Sequence, residues 1–355
     1  MKQQRALWVS TSKSTPGGVA TYVRDMEQTP LWKNWDIHHV ATHRKGGTAT
    51  KIAAYVASFP VYFYQLAVFR PTVVHIHVSS YGSFVRKYIF ELIARALRRP
   101  VVLHVHGSDF RVFYDRGSTL LQAAMRDSLR GAKAVIALGN PWGEALRGIT
   151  ADARILVIPN AVELSTKVNQ FPDGEVQVLF LGEIGERKGT FTLLDAWKRM
   201  VDAADGPVRA RLTIVGHGDS DRARKQVADL GIGDTVEVLG WVTMEQRAEI
   251  VNNSQILALP SLREGQPMAI LEAMAKGMCV ISCPVGGIPD QIPEGCGLLV
   301  TPGEVEPLAE ALTSVLRDDQ LRARLGTGAW ERVRDEFDID VIWRRFDALY
   351  REVAR

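Results

Sequence analysis

The stretch Ile256-Leu257-Ala258-Leu259-Pro260-Ser261-Leu262-Arg263-Glu264-Gly265-Gln266-Pro267-Met268-Ala269-Ile270-Leu271-Glu272 decides how the rest of the chain is read. An apolar run ends near Leu259 as a strand would, and Pro260 breaks it. A loop carrying Glu264 and Gly265 follows, and Pro267 sits where proline favours the first turn of a helix. Strand, loop and helix in quick succession form the unit from which parallel α/β sheets are built.

The same unit recurs on both sides of this stretch. In the first half, apolar runs at residues 6–10, 37–41, 73–78, 101–105, 134–138 and 155–158 are separated by segments long enough for helices. The runs beginning at Val73, Val101 and Ala134 are rich in Val and Ile without polar alternation, as strands covered on both faces should be. Around residues 160–174, Pro159, Asn160, Asn169, Pro172, Asp173 and Gly174 supply loop chemistry and mark a linker. Strands then resume at 176–181, 211–215, 236–239, 256–259, 279–282 and 298–300. From Val305 onward the pattern is helical, through Leu308, Leu312, Val315 and Leu316 to Ile342, Trp343, Phe346, Leu349 and Tyr350. The expected fold class is α/β: two tandem Rossmann-like, doubly wound domains at residues 1–168 and 169–336, with a C-terminal helix, 337–355, returning to the first.

Composition agrees. A chain of 355 residues with 46% hydrophobic and 23% charged residues can bury two cores, and is neither disordered nor a coiled coil. The net charge of +3 conceals an asymmetry: residues 1–170 hold 22 Lys and Arg against 10 Asp and Glu, whereas 171–355 hold 21 against 30. The basic half calls for an anionic partner, whether membrane surface, phosphate or nucleic acid. Cys279, Cys283 and Cys296 fit neither a disulfide framework nor a zinc site, and read as reduced core thiols of a cytoplasmic protein. Residues 1–5 run straight into a strand with no signal-like segment, so export is not expected.

Two segments bear on membranes. Residues 52–69 are uncharged and bracketed by Lys51 and Arg70, but Pro60, Ser58, Gln65 and three tyrosines interrupt them. They read as a helix packed on the sheet and touching a bilayer rather than crossing one. Residues 84–99 form a helical stretch with aromatics, Leu and Ile on one side and five cations on it or near its end, as a helix lying in an anionic interface would have. The plainer alternative is a core-facing helix with a solvated basic face. No recognised nucleic-acid module is present, so the two segments together favour an anionic membrane surface.

Among phosphate-binding motifs, Gly216-His217-Gly218 has Asp221 where a dinucleotide fingerprint needs its third glycine, and no Walker A sequence occurs. The first turn instead carries Pro16-Gly17-Gly18 before a helix at Val19, where backbone can approach a phosphate. The turn at Pro267 leaves the N–H groups of about Met268 and Ala269 free for a diphosphate. Glu272 lies a turn and a half further in, placed to accept from ribose hydroxyls, and Glu264 on the loop can face a sugar. Alone, the two read more plainly as a solvated loop acid and a surface helix acid.

Taken together, Glu264-x7-Glu272, the loop Gly185-Glu186-Arg187-Lys188-Gly189, the turn Val285-Gly286-Gly287-Ile288-Pro289, Gly17-Gly18 and His106-Gly107-Ser108-Asp109 resemble the retaining glycosyltransferases of family 4, with the GT-B fold. The stretch 264–289 resembles the bacterial cell-surface polysaccharide enzymes in particular. The resemblance implies transfer of a sugar from a nucleoside diphosphate sugar, UDP- or GDP-linked, with retained configuration and with neither metal nor other cofactor. Joined to the charge split and the two segments above, it leads to the expectation that residues 169–336 bind the donor and the basic 1–168 face the acceptor, a glycan or a polyprenyl-pyrophosphate-linked one, at the inner face of the cell membrane. The implied catalytic residues are His106, Glu264 and Lys188. The implied donor site comprises Gly17, Gly18, Arg187, Lys188, Glu264, Gly265, Gln266, Pro267, Met268 and Glu272. A fixed Lys188 cation would stabilise the leaving diphosphate more in the transition state than before it. One departure stands out: the family usually has arginine five residues before the lysine, and Glu183 stands there. Either Arg187 supplies the second cation or Glu183 points away.

Seven of the eight histidines precede Gly107. His75 and His77, like His104 and His106, alternate along strands and share a face, but no carboxylate recurs at ligand spacing, so ligand hydrogen bonding is expected rather than a metal. Asp338-Ile339-Asp340 has the D-x-D form of metal-dependent transferases but lies between helices, where capping is the expected role. A GT-B-fold nucleotide-sugar 2-epimerase and a non-catalytic nucleotide-sugar-binding subunit are the alternative functions.

Overall fold

The computed structural model describes residues 4–15, 17–107 and 109–355. Pro16 and Ser108, members of two motifs above, lie outside the described residues, as do residues 1–3 of the N-terminal run.

The chain forms two compact units. The first comprises the chain through Ala161 together with Ile339–Arg355, and the second is Val162–Asp338. Each is built on a six-stranded, wholly parallel sheet. In the first unit the strands are β1 (Ala6–Ser10), β2 (His38–Ala41), β3 (Val73–Val78), β4 (Val101–Val105), β5 (Ala134–Ala137) and β6 (Ile155–Val157), in the order β2-β1-β3-β4-β5-β6. In the second they are β7 (Val176–Leu181), β8 (Ala210–Val215), β9 (Val236–Gly240), β10 (Ile256–Leu259), β11 (Cys279–Ser282) and β12 (Leu298–Leu299), in the order β12-β11-β10-β7-β8-β9. All twelve strands lie where the apolar runs placed them, to within a residue at either end.

The central strands β1, β3, β4 and β5 are buried along their whole length. Their alternate residues feed two cores. Leu7, Val9, Val74 and Ile76 pack with Phe84, Phe90 and Met125 on one face. Ala6, Trp8 and Val73 pack with Tyr22, Trp35, Phe346 and Tyr350 on the other. The last two belong to the helix Ile339–Val353, which is amphipathic and lays Ile342, Phe346, Leu349 and Tyr350 against the first unit. Buried Trp8 Nε1 donates to Tyr350 Oη at 2.9 Å and Trp35 Nε1 to Asp347 Oδ1 at 2.8 Å. Asp338 precedes this helix, and Asp340 accepts from Trp343 Nε1 at 2.8 Å within it.

The boundary between the units differs from the one placed at residue 168. Val162 N donates to Phe337 O, and Ser165 and Val168 donate to the carbonyls of Ala275 and Lys276. Residues 162–170 are therefore tied into the second unit by their own backbone, and loop composition alone does not reveal such pairing. The second boundary lies at Asp338, two residues beyond 336. With these limits the first unit holds 25 Lys and Arg against 12 Asp and Glu and the second 18 against 28, so the charge split is slightly steeper than the half-chain counts.

Residues 52–69 form the helix Thr48–Tyr64, which contains Pro60, and a π-helical turn at Gln65–Phe69. Together they span 22 residues, long and apolar enough to cross a membrane, and most of the stretch is not buried. Ile52, Val56, Val61, Phe63, Tyr64 and Val68 are exposed. The helix Gly82–Ala96 likewise exposes Val85, Ile89 and Leu92. The three cysteines are buried and free, and burial pushes the Cys279 thiol up to about 12 and Cys283 to about 11.

Candidate active site

In the second unit the strand ends of β7 and β10 carry the loops that hold most of the predicted donor residues. Arg187 and Lys188 lie in a short 3-10 turn, Glu186–Lys188, closed by Gly189. Gly189 adopts φ 73°, and a Cβ there would stand 2.0 Å from the Pro260 carbonyl oxygen, so only glycine lets this turn approach the β10 loop. Leu262 N donates to Arg187 O at 2.9 Å and ties the two loops together. The result brings Lys188 Nζ into a short ion pair with Glu264 Oε1. Ser261 Oγ also donates to that oxygen, at 2.7 Å. The Glu264 side chain is 6% exposed and that of Lys188 13%, so each charge is compensated chiefly by the other.

Glu183 answers the question its position raised. Arg187 Nη2 donates to Glu183 Oε2 at 2.6 Å, and this guanidinium holds the Glu183 carboxyl below its usual range. Arg187 Nη1 also stands 3.9 Å from Glu264 Oε2. The charge of Arg187 is thus shared between two carboxylates, leaving Lys188 the better-placed cation for a phosphate.

The 285–289 turn supports the same loop from the other side. Gly286 has φ 58°, and a Cβ there would lie 2.1 Å from the Glu264 carbonyl oxygen. Gly287 N donates to Gly265 O at 3.1 Å. The helix that follows is Met268–Ala275, with Pro267 one position outside it as the N-cap rather than in its first turn. Its φ of −68° suits either place, but ψ of 120° keeps it extended. Ile270 and Leu271 donate to Pro267 O, so Met268 and Ala269 are the N–H groups left without an intrahelical acceptor. Gln266 is buried at this entry. Glu272 sits in the helix and pairs with Arg247 of the helix Met244–Asn253.

Arg247 and Ser261 contact the predicted residues without any role being evident for them in the sequence. Ser261 is three residues before Glu264 and was open to recognition as a local partner. Arg247 reaches Glu272 from a separate helix, and no spacing rule connects them.

The first unit supplies a second cluster. Strands β3 and β4 bring His75, His77, His104 and His106 into one stack, with the His104 and His106 rings 4.0 Å apart. His77 Nδ1 and His106 Nε2 are 2.9 Å apart, so only Nδ1 of His106 remains for a ligand. Burial, with Lys87 nearby, pushes the His106 imidazole down to about 3, and the other three also fall well below the usual range through burial. All four are neutral at physiological pH. His75, His77 and His104 place ring nitrogens within 4.8 Å of one another, a spacing a metal might be thought to use. His75, however, has both nitrogens committed, Nδ1 to the Tyr350 hydroxyl and Nε2 to His104 Nδ1 at 3.2 Å. It has no lone pair to give without losing one of them. Gly17, at φ 129°, caps the helix Gly18–Glu27 at the end of β1.

In the second unit, a parallel sheet with glycine-shaped loops at its strand ends and a cation–carboxylate pair ahead of an open helix start suit the phosphates and hydroxyls of a nucleotide sugar. Residues 161–332 match the family model described as glycosyl transferases group 1, and residues 38–161 match a glycosyl transferase 4-like domain. The chain belongs to this family of glycosyltransferases, with the GT-B fold. It is 30% identical over 236 residues to the phosphatidyl-myo-inositol mannosyltransferase of Mycobacterium leprae, a match covering 64% of this chain and 60% of that protein. It is 29% identical over 185 residues to the N-acetyl-alpha-D-glucosaminyl L-malate synthase of Bacillus anthracis, covering 52% of this chain and 47% of that one. The chain therefore spans between about half and 60% of the length of these curated relatives. Among solved structures it is similar to the sucrose-phosphate synthase of Thermosynechococcus elongatus, with TM-score 0.77 and 21% identity over 98% of this chain and 99% of that one. Anabaena HepE in complex with UDP gives TM-score 0.74 at 18% identity, over 98% of this chain and 100% of that one. At such identities the structural likeness concerns the fold.

Proposed function

We propose that the protein transfers a hexose from a UDP- or GDP-sugar to a lipid-linked or cell-surface glycan acceptor, with retained configuration and without a metal ion. The observation that carries this reading is the buried Lys188–Glu264 pair, four residues ahead of the helix start at Met268. Free of donor, the two charges satisfy each other. A nucleotide sugar gives each a better partner: its diphosphate accepts from Lys188 and from the Met268 and Ala269 N–H groups, and its hexose hydroxyls donate to Glu264. Glu272, oriented by Arg247, accepts from the ribose.

The chemistry follows from this placement. As the bond from sugar C1 to the diphosphate oxygen breaks, the bonding pair leaves with the diphosphate, and Lys188 stabilises the charge that grows there. The acceptor hydroxyl forms the new bond to C1, and its proton passes to the departing diphosphate. Burial holds the His106 imidazole down at about 3, too weak a base to take up the acceptor's proton, so in this reading it is a hydrogen-bond partner for the sugar rather than a proton carrier.

The same reading puts the protein at the inner face of the cell membrane as a peripheral protein. Its support is the exposed apolar surface of Thr48–Tyr64 and Gly82–Ala96, with exposed Lys51, Arg70 and Arg98 around it. Each such cation near an anionic leaflet contributes about 1 kcal/mol.

Incubation with a panel of UDP- and GDP-sugars, with and without membrane extract, tests the proposal. Acceptor-dependent release of UDP or GDP is the expected result. Sugar conversion without nucleotide release would move the assignment to an epimerase, and nucleotide-sugar binding without turnover to a non-catalytic subunit.

A further inference from the structure

The first unit contains a cavity of about 270 Å³ that the donor site of the second unit does not account for. It is lined by Lys87, Arg86 and His43, by His77, and by Gly18 and Val19 at the start of the helix Gly18–Glu27. Among the described residues no aspartate or glutamate lines it. Lys87 is 6% exposed, and its Nζ donates to Ser83 Oγ at 3.1 Å with no carboxylate in range to offset its charge. Burial, reinforced by Arg86, pushes Lys87 down to about 7, so the protein groups around it do not by themselves compensate its charge.

Other polar groups here also lack partners. His77 Nε2, fully buried, has no hydrogen-bond partner, and neither do Thr15 Oγ1 and Arg86 Nε. Ala20 and Thr21 donate to Gly17 O, which leaves the Gly18 and Val19 N–H groups without an intrahelical acceptor. Unpaired donors and an uncompensated buried cation around one space are costly unless an anion fills it. A dianion satisfies them best, because it meets two or three positive groups and a helix start at once.

We propose that this cavity is a phosphoryl-binding subsite for the acceptor, held by Lys87, Arg86 and His43 at the start of the helix Gly18–Glu27. The inference rests on the glycosyl-transfer reading, with Lys188 and Met268 meeting the donor diphosphate, and it moves the Gly17–Gly18 turn, which the resemblance assigns to the donor, to the acceptor. It narrows the acceptor to one that carries a phosphoryl group. The cavity is at the small end of ligand pockets, which run to ~300 Å³ and above, so it takes a head group rather than a whole molecule. The head group belongs either to a soluble phosphorylated acceptor or to a phospholipid or prenyl phosphate.

The test is calorimetric titration of the full chain with inorganic phosphate and with glycerol 3-phosphate, with and without saturating UDP. Phosphate should bind alongside UDP, and Lys87→Met should weaken it at least about tenfold, the loss of one charge-assisted hydrogen bond. Lys87→Met removes a buried, unpaired charge and should unfold no earlier than wild type. Arg86→Met provides a second variant, expected to weaken phosphate in the same direction. Co-flotation with phosphatidylcholine vesicles containing phosphatidic acid, lost in Lys87→Met, assigns the phosphoryl group to a lipid. Glycerol 3-phosphate binding without such flotation assigns it to a soluble acceptor. Phosphate binding unchanged in both variants, or displacement of phosphate by UDP, overturns the proposal while leaving the donor site intact. Failure to bind either UDP or GDP instead refutes the glycosyl-transfer reading.

Discussion

Removing Lys188 should unsettle the second unit before any substrate is present. The Glu264 carboxylate is almost wholly buried, and its compensating charges are Lys188, in direct contact, and Arg187 at 3.9 Å, itself bound to Glu183. Breaking a buried ion pair from one side leaves a stranded charge, at a cost of about 3–5 kcal/mol. Ser261 and the residual pull of Arg187 put Lys188→Met at the lower end, near ~3 kcal/mol. For a unit of this size that corresponds to a loss of about 6–12 °C in Tm. Glu264→Gln should cost less, because Lys188 keeps some access to water. In the double variant Lys188→Met/Glu264→Gln no charge is stranded, so most of the loss should return. A double-mutant cycle by urea unfolding, read with a probe on the second unit, measures this. The same cycle with UDP titration should show Glu264→Gln binding UDP more tightly than wild type, since Lys188 is released to the diphosphate. If Lys188→Met unfolds within about 0.5 kcal/mol of wild type, the scatter of an ordinary surface substitution, Glu264 is not stranded and the pairing logic fails.

Other outcomes follow from particular contacts. Glu91 is buried in the first unit beside Ser128 and Arg95, and burial pushes it up to about 8. Its folded value exceeds its unfolded value of about 4.5, so the stability it contributes is full below about pH 4.5 and is lost as pH rises through about 8. The unfolding free energy from urea titrations should fall over that window by an amount on the order of a few kcal/mol, and Glu91→Gln should flatten the fall. Gly286→Ala should displace the Glu264 loop and cut sugar transfer with little change in far-UV circular dichroism, because its Cβ meets the Glu264 carbonyl. Tyr350→Phe strands Trp8 Nε1 and should cost about 1–3 kcal/mol in thermal unfolding of the first unit. The pH profile of transfer should show no inflection assignable to His106, and His106→Asn should lower the rate without reshaping that profile. Val56→Asp with Phe63→Asp should abolish flotation with anionic vesicles while leaving UDP binding unchanged.

The parallel sheets were legible because strands covered on both faces must be continuously apolar, and nothing else in runs such as 73–78 or 256–259 competes with that signal. The strand–loop–helix unit at 256–275 was legible for a different reason: Glu264, Gly265, Pro267 and Glu272 sit on one continuous segment whose geometry is set locally. Partners that arrive from other elements were hidden. Arg247 pairs with Glu272 from a different helix, and Glu183 reads as a repulsive charge until Arg187 is seen to neutralise it. The boundary at Ala161 was misplaced because backbone pairing of residues 162–170 with the second unit leaves no trace in loop composition. Lys87 looked like one cation on a basic helix face, since the sequence places it near the cationic stripe but does not reveal that the fold turns it inward.

The helix Ile339–Val353 gives the chain an order of assembly. The ribosome delivers all six strands of the first sheet by Val157, yet Trp8 must wait for Tyr350, 342 residues later. At about 5–20 residues per second, synthesis of the intervening unit alone takes roughly 10–35 s. During that time one face of the first sheet, including Trp8 and Trp35, lacks its cover. The second unit, contiguous in sequence, can finish first, so the half that begins the chain is the last to be completed. A deletion of the final fifteen or so residues would act as a folding lesion on strands laid down hundreds of residues earlier, leaving the second unit intact in a molecule unable to close its other core.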